Sequence, residues 1–93
     1  MTNNIPQEWT VILDRQPAKI IGRLPRDLPR RIDDVLTKLA TDPRPAGGIK
    51  LRGYENLYRV RVGDWRIIYA IEADRLIILI IEIAPRGDAY RNL

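Results

Sequence analysis

The sequence predicts an α+β domain in which two N-terminal helices are packed on a small, mainly antiparallel, twisted sheet. Three observations point there. The chain has 93 residues, and chains usually divide only above roughly 250, so a single domain spans residues 1–93. Between Leu28 and Leu39 the apolar residues recur at offsets of 0, 4, 7, 8 and 11, which is one face of a helix. From Ile49 onward the apolar period shortens to two, and Gly63-Asp64 and Ala73-Asp74 punctuate it with turns.

Residues 8–13 are rich in aromatic and β-branched types and end at Asp14, a first strand. Asp14 caps a first helix that carries Pro17 in its opening turn, where the missing N–H is no loss, and the segment through Ile20 and Ile21 stops at residues 22–25. The second helix starts near Asp27, with Pro29 in its first turn. Its stripe of Leu28, Ile32, Val35, Leu36 and Leu39 faces the sheet, and Arg30, Arg31, Asp33, Asp34 and Lys38 face water. Residues 42–48 hold two prolines and two glycines and form a loop. Strands follow near residues 49–52, 57–62, 65–72 and 76–84, the last three as an antiparallel meander. Residues 76–81 are apolar at both parities, as in a central strand covered on both faces. Residues 86–93 are a short polar tail with room for one helical turn. Trp9, Tyr58, Trp65 and Tyr69 sit inside apolar strands and read as packing residues.

Composition removes several chemistries. Without cysteine or histidine there are no disulfides, thiolate sites, histidine metal ligands or histidine general bases. No cofactor and no metal site are expected. The longest apolar run is six residues against the roughly 20 that cross a bilayer, and the polar start has no signal-peptide core, so a cytoplasmic protein without a membrane partner is expected. The net charge is +4, and 13 of the 16 basic residues are arginine. Guanidinium is planar, permanently charged and matched to phosphate oxygens, so this bias leans toward phosphate recognition, and from composition alone a solvated surface is an equal alternative.

The period-two alternation sends Tyr58, Val60 and Val62 to one face of their strand and stands Arg59 and Arg61 together on the other. Pairing through Gly63-Asp64 brings Arg66 close to Arg61. Like charges opposed across a ladder destabilise it by a few tenths to about 1 kcal/mol, which an anionic ligand would offset. The structural alternative is that Arg61 pairs with Asp64 or Glu72. Arg86 and Tyr90 lie just past the last strand, where the chain can return over the same face and complete a basic pocket with an aromatic hydroxyl. Arginines on phosphate beside a ring under an unstacked base are a common design for RNA sites.

The run Leu51-Arg52-Gly53-Tyr54-Glu55-Asn56-Leu57-Tyr58-Arg59-Val60-Arg61-Val62-Gly63-Asp64-Trp65-Arg66-Ile67-Ile68-Tyr69 resembles the RelE branch of the RelE/ParE toxin superfamily, most specifically in its Tyr58 to Arg66 block. So does the stretch Ala84-Pro85-Arg86-Gly87-Asp88-Ala89-Tyr90-Arg91, and Leu24-Pro25-Arg26-Asp27 and Asp42-Pro43-Arg44-Pro45 fit the same pattern. The resemblance covers nearly the whole chain. It implies a RelE-like fold and a toxin of a type II toxin–antitoxin system. Its partners would be a cognate antitoxin protein, the ribosome and mRNA, with operator DNA reached only through the antitoxin. The implied activity is that of a metal-independent endoribonuclease that cuts mRNA in the ribosomal A site by 2′-hydroxyl attack. Carried over by position, Arg59 and Arg61 hold the mRNA backbone and assist the reaction. Arg66 stabilises the phosphorane-like transition state, Arg86 serves the leaving oxygen, and Tyr90 stacks on or orients the substrate. Lys50 and Arg52 join Arg59 as candidate RNA-binding residues.

Many relatives read Gly-His-Arg where this chain reads Ala84-Pro85-Arg86, so a histidine-driven proton transfer is out of reach. Tyr90, Glu55 and Glu82 are the candidate proton acceptors; Glu82 has the structural alternative of neutralising Arg66 or Arg86. Two other functions fit the resemblance. One is a ParE-like toxin that inhibits gyrase without nuclease activity. The other is a weakened toxin acting mainly as an antitoxin-binding co-repressor.

Overall fold

The computed structural model describes residues 8–44 and 48–87. In chain order these form β1 (Thr10–Leu13), α1 (Arg15–Ile20), a 3-10 turn (Ile21–Arg23), α2 (Leu28–Thr41), β2 (Ile49–Lys50), β3 (Leu57–Val62), β4 (Trp65–Glu72) and β5 (Ile77–Pro85). The strands make one sheet in the order β1-β5-β4-β3-β2, antiparallel throughout except that β1 runs parallel to β5. This is the expected α+β layout. The polar tail read at residues 86–93 lies outside the described residues from position 88 on.

The Asp14 carboxylate accepts from the Arg15 N–H at 2.8 Å at the start of α1. Pro17 is the third residue of that helix, where no intrahelical donor is needed. In α2, Leu28, Ile32, Leu36 and Leu39 are buried and Val35 half-buried, as the stripe requires. They meet Val60, Val62, Ile67, Tyr69, Ile71, Ile78, Ile80 and Ile83 from the inner face of the sheet. Burial of this kind contributes about 1.5 to 3 kcal/mol per large aliphatic side chain, enough in sum to hold two short helices on the sheet. The far end of α2 is tied down where the Trp9 N–H donates to the Ala40 carbonyl at 2.7 Å.

The four packing aromatics behave as read. Tyr69 is fully buried, and Trp9, Tyr58 and Trp65 pack against the same core. Tyr58 and Tyr69 are cross-strand partners with ring centroids 5.9 Å apart. The Tyr69 hydroxyl donates to the Pro43 carbonyl at 2.8 Å, and the Arg44 side chain lies over the Tyr58 ring at 5.6 Å and donates to its hydroxyl at 3.3 Å. These contacts fasten the chain after α2 to the sheet.

Several boundaries differ from the sequence reading for local reasons. β1 begins at Thr10, because its ladder with β5 starts only where the Thr10 N–H meets the Leu76 carbonyl at 2.8 Å. β2 has two residues, because the chain turns at Gly53. The β4–β5 connection is four residues, Ala73 to Leu76, rather than two, and Leu76 takes φ +54 to close it. That left-handed conformation costs a leucine about 1 to 2 kcal/mol. β5 is internal, but the helices cover only one of its faces, and Ile77, Leu79 and Ile81 on or toward the other remain half-exposed.

Beyond Asp14, whose N–H reaches the Ile80 carbonyl, β1 leaves the edge of β5. There the Gln16 carboxamide takes over the role of a strand. Its Nε2 donates to the Ile83 carbonyl at 2.8 Å, and the Ile83 N–H donates to its Oε1 at 2.9 Å.

Candidate active site: an arginine row on the open sheet face

With Val60 and Val62 in the core, alternation puts Leu57, Arg59 and Arg61 on the face away from the helices. On β4 the same rule puts Arg66, Ile68 and Ala70 there, since Ile67, Tyr69 and Ile71 point into the core. The register then decides which side chains meet. Val62 pairs with Trp65 around a two-residue turn, so Arg61 pairs directly with Arg66 and Arg59 with Ile68. Gly63 has φ +61 at the first turn position, the conformation a type II′ hairpin demands. Paired Cβ atoms in such a ladder stand about 4.5 to 5.5 Å apart, which sets two guanidinium stems side by side.

β5 completes the row through a bulge. Ile68 pairs with Glu82 and Tyr69 with Ile80, so Ile81 has no partner and the alternation slips by one. Ile78 and Ile80 therefore point into the core while Glu82 and Ala84, of the same parity, lie on the arginine face. Ala84 pairs with Arg66. Two residues on, the Arg86 N–H donates to the Asp64 carbonyl at 2.7 Å, so the backbone of Arg86 is fastened to the turn that carries Arg61 and Arg66. Three separate stretches of chain thus bring Arg61, Arg66 and Arg86 to one corner of the sheet.

Arg61 and Arg86 are exposed and Arg59 and Arg66 half-buried. Arg66 makes a long contact to the Trp65 carbonyl, 3.5 Å from Nη1. The Glu72 carboxylate is engaged by Arg75 at 3.1 Å, and among the described residues neither it nor Asp64 forms a salt bridge with Arg61. Glu82 is 2% exposed and stands across Ile68 from Arg59.

The remaining candidates distribute differently. Tyr90 lies outside the described residues. Lys50 pairs with Tyr58 and so occupies the opposite side of the sheet from Arg59. Arg52 sits in the turn after Leu51, and Glu55 in the loop at the far end of β3 from Arg61. Tyr69 is no candidate for proton transfer: burial first, then the nearby Tyr58 and Asp42, push its hydroxyl up to about 12, against a smaller opposing effect of Arg44.

Two supports had no sequence signal: the Gln16 bonds to Ile83, and the Arg31 guanidinium lying over the hairpin turn. A Cβ on Gly63 would come within 3.2 Å of Arg31 Nη2.

The same chain layout recurs in known proteins. A family model described as the ParE toxin of type II toxin–antitoxin systems, parDE, matches residues 8–90. Toxin RelE of Mycobacterium tuberculosis is 30% identical over 84 residues, which span 89% of this chain and 87% of that protein. A chain in the crystal structure of the archaeal RelE–RelB complex of Pyrococcus horikoshii aligns with a TM-score of 0.77 at 33% identity, over 88% of this chain and 99% of that one. The isolated RelE toxin of E. coli aligns with a TM-score of 0.76 at 17% identity, over 88% of each chain, a likeness of fold. By its match along nearly its whole length, and by its likeness to proteins named RelE, this chain belongs to the RelE/ParE superfamily of toxin–antitoxin toxins as a RelE-like member.

Proposed function

We propose that the chain is a ribosome-dependent endoribonuclease that cuts mRNA in the A site and so inhibits translation, and that a cognate antitoxin protein holds it inactive. The observation that carries this reading is the direct pairing of Arg61 with Arg66 beside the tethered Arg86. A ladder position occupied by two like charges is unfavourable in the free protein and becomes favourable when a phosphodiester lies across it.

In the reaction the 2′-oxygen of one nucleotide bonds to the adjacent phosphorus as the bond to the 5′-oxygen breaks, giving a cyclic phosphate and a free 5′-hydroxyl. Negative charge builds on the non-bridging oxygens, and Arg61 and Arg66 oppose it from fixed positions. Arg86 stabilises the departing 5′-oxygen, which takes its proton from water to become the hydroxyl, and Arg59 holds the backbone further along. A lost donor of this kind costs about 3 to 4 kcal/mol of transition-state stabilisation. The 2′-hydroxyl proton needs an acceptor. Glu82 is buried and Glu55 lies toward the other end of β3, which leaves Tyr90, as its phenolate, among the three candidate acceptors.

The antitoxin reading is supported by the structures of RelE with RelB in the relatives. An acidic segment that folds on contact would suit the arginine face, and operator DNA would be reached through that partner.

The ParE description of the matching family favours a second reading, a gyrase inhibitor without nuclease activity. Induction in cells separates the two. The ribonuclease reading expects growth arrest that Arg66→Ala and Arg86→Ala relieve while antitoxin binding persists. Arrest with inhibited supercoiling and intact transcripts would reverse the order.

A further inference from the structure

We propose that the loop between β2 and β3 is a second RNA contact, in which Tyr54 stacks on the base of a nucleotide flanking the cut and Glu55 reads that base; this rests on the ribonuclease reading. Tyr54 is 44% exposed, one of three large apolar side chains left in water among the described residues. It closes a turn in which its N–H donates to the Leu51 carbonyl at 3.4 Å, with Gly53 at φ +87 in the third position, as a type II turn requires. The turn is firmly seated. Leu51 at its first corner is buried with Leu57, Ile68 and Ala70 on the same face as the arginine row, and beyond Tyr54 the Asn56 carbonyl accepts from the Ile71 N–H at 3.0 Å.

Tyr54 and Glu55 line a recess of about 470 Å³ together with Lys50 and Arg52. Lys50 borders the recess from the other side of the sheet, so Arg52 is its cation for an RNA on the arginine face. A half-exposed ring and a guanidinium together supply the stacking surface and the phosphate contact that single-stranded RNA needs. The recess also stands in line with the reacting centre. β3 leads from it past Leu57 and Arg59 to Arg61, and at about 3.3 Å per residue Leu57 is about 13 Å from Arg61. An RNA strand gripped at Arg61 and Arg66 and laid along β3 therefore passes over the loop with a neighbouring nucleotide. Glu55 adds discrimination, because a carboxylate accepts from the exocyclic amino group of cytosine or adenine and finds no such donor on uracil.

The test is single-turnover cleavage of mRNA on programmed ribosomes by the full-length chain over a range of concentrations. Tyr54→Ala is expected to raise the half-saturating concentration roughly tenfold, as the loss of one base–aromatic stack would, with the saturating rate kept. Tyr54→Phe stays at the wild-type value, and Arg52→Ala lowers the salt dependence of binding by about one phosphate contact. Arg66→Ala instead lowers the saturating rate. Glu55→Gln is expected to narrow the preference for cytosine over uracil at the flanking position. If the wild type cuts and Tyr54→Ala saturates at the same concentration, this inference falls and the ribonuclease reading stands. If the wild type leaves mRNA intact on the ribosome, both fall. Unchanged cutting by Tyr54→Ala with weakened antitoxin binding would make the loop a protein interface and overturn the proposal.

Discussion

Arg61 stands directly across the β3–β4 ladder from Arg66, one residue outside the pair that flanks the Gly63-Asp64 turn. In the free protein this juxtaposition opposes folding, by a few tenths to about 1 kcal/mol. Arg61→Ala and Arg66→Ala should therefore each raise the melting temperature, by up to a few degrees in a domain of this size, while lowering cleavage. Calorimetry at low and high salt checks it: the wild type should gain on the variants as salt rises, because screening weakens the repulsion. A lower melting temperature in both variants would mean that the pair is compensated within the protein.

Gln16 supplies both a donor and an acceptor to Ile83. Its removal leaves a part-buried N–H and carbonyl to find other partners, so Gln16→Ala should cost about 1 to 3 kcal/mol in urea unfolding. Gln16→Glu is the sharper variant. Its carboxylate still accepts from the Ile83 N–H but sets an oxygen against the Ile83 carbonyl, so stability lost at pH 7 should return in part as the side chain is protonated in acid.

Gly63→Ala forces a side chain onto φ +61 and against Arg31. The guanidinium can swing aside, so the backbone term should dominate at about 1 to 2 kcal/mol. Combining Gly63→Ala with Arg31→Ala should recover little of the loss in thermal unfolding. Full recovery would show that the close contact, and not the backbone, was responsible.

Tyr69 has its hydroxyl raised from 10 to about 12. Between those values the unfolded chain has given up a proton that the folded chain keeps, so its contribution is complete below about pH 10 and is lost as pH rises toward 12. Two units correspond to roughly 2 to 3 kcal/mol. Urea unfolding from pH 8 to 11 should show wild-type stability falling relative to Tyr69→Phe across the alkaline half of that range. Parallel curves would remove the assignment.

Much of this was readable from residue order, and the divide is physical. The β3–β4 hairpin and its arginine row follow from local rules, since a two-residue period and a Gly-Asp turn together fix register. The α2 stripe is likewise local. What escaped depends on partners far along the chain. β1 lies parallel to β5, and Gln16 bonds to Ile83 across 67 positions, distances over which periodicity carries no information. Residues 76–81 showed apolar character at both parities, but not that Ile81 would be extruded as a bulge, which alone lets Ile80 face the core and Glu82 the arginines. Lys50 looked like a companion of Arg59, and one register step placed it on the other side of the sheet. Tyr54 lies inside the run that carries the resemblance, but a single exposed ring has no periodic signature that would give it a role; Gly53 before it is the available clue to the turn.

The most direct test of the arginine row as a ribonuclease centre is primer-extension mapping of transcripts after induction of the wild type and of Arg66→Ala. Cuts confined to translated regions and locked to the reading frame, present with the wild type and reduced at least a hundredfold with the variant, are the predicted result. Intact transcripts under wild-type growth arrest, or an unchanged cutting pattern from Arg66→Ala, would contradict it.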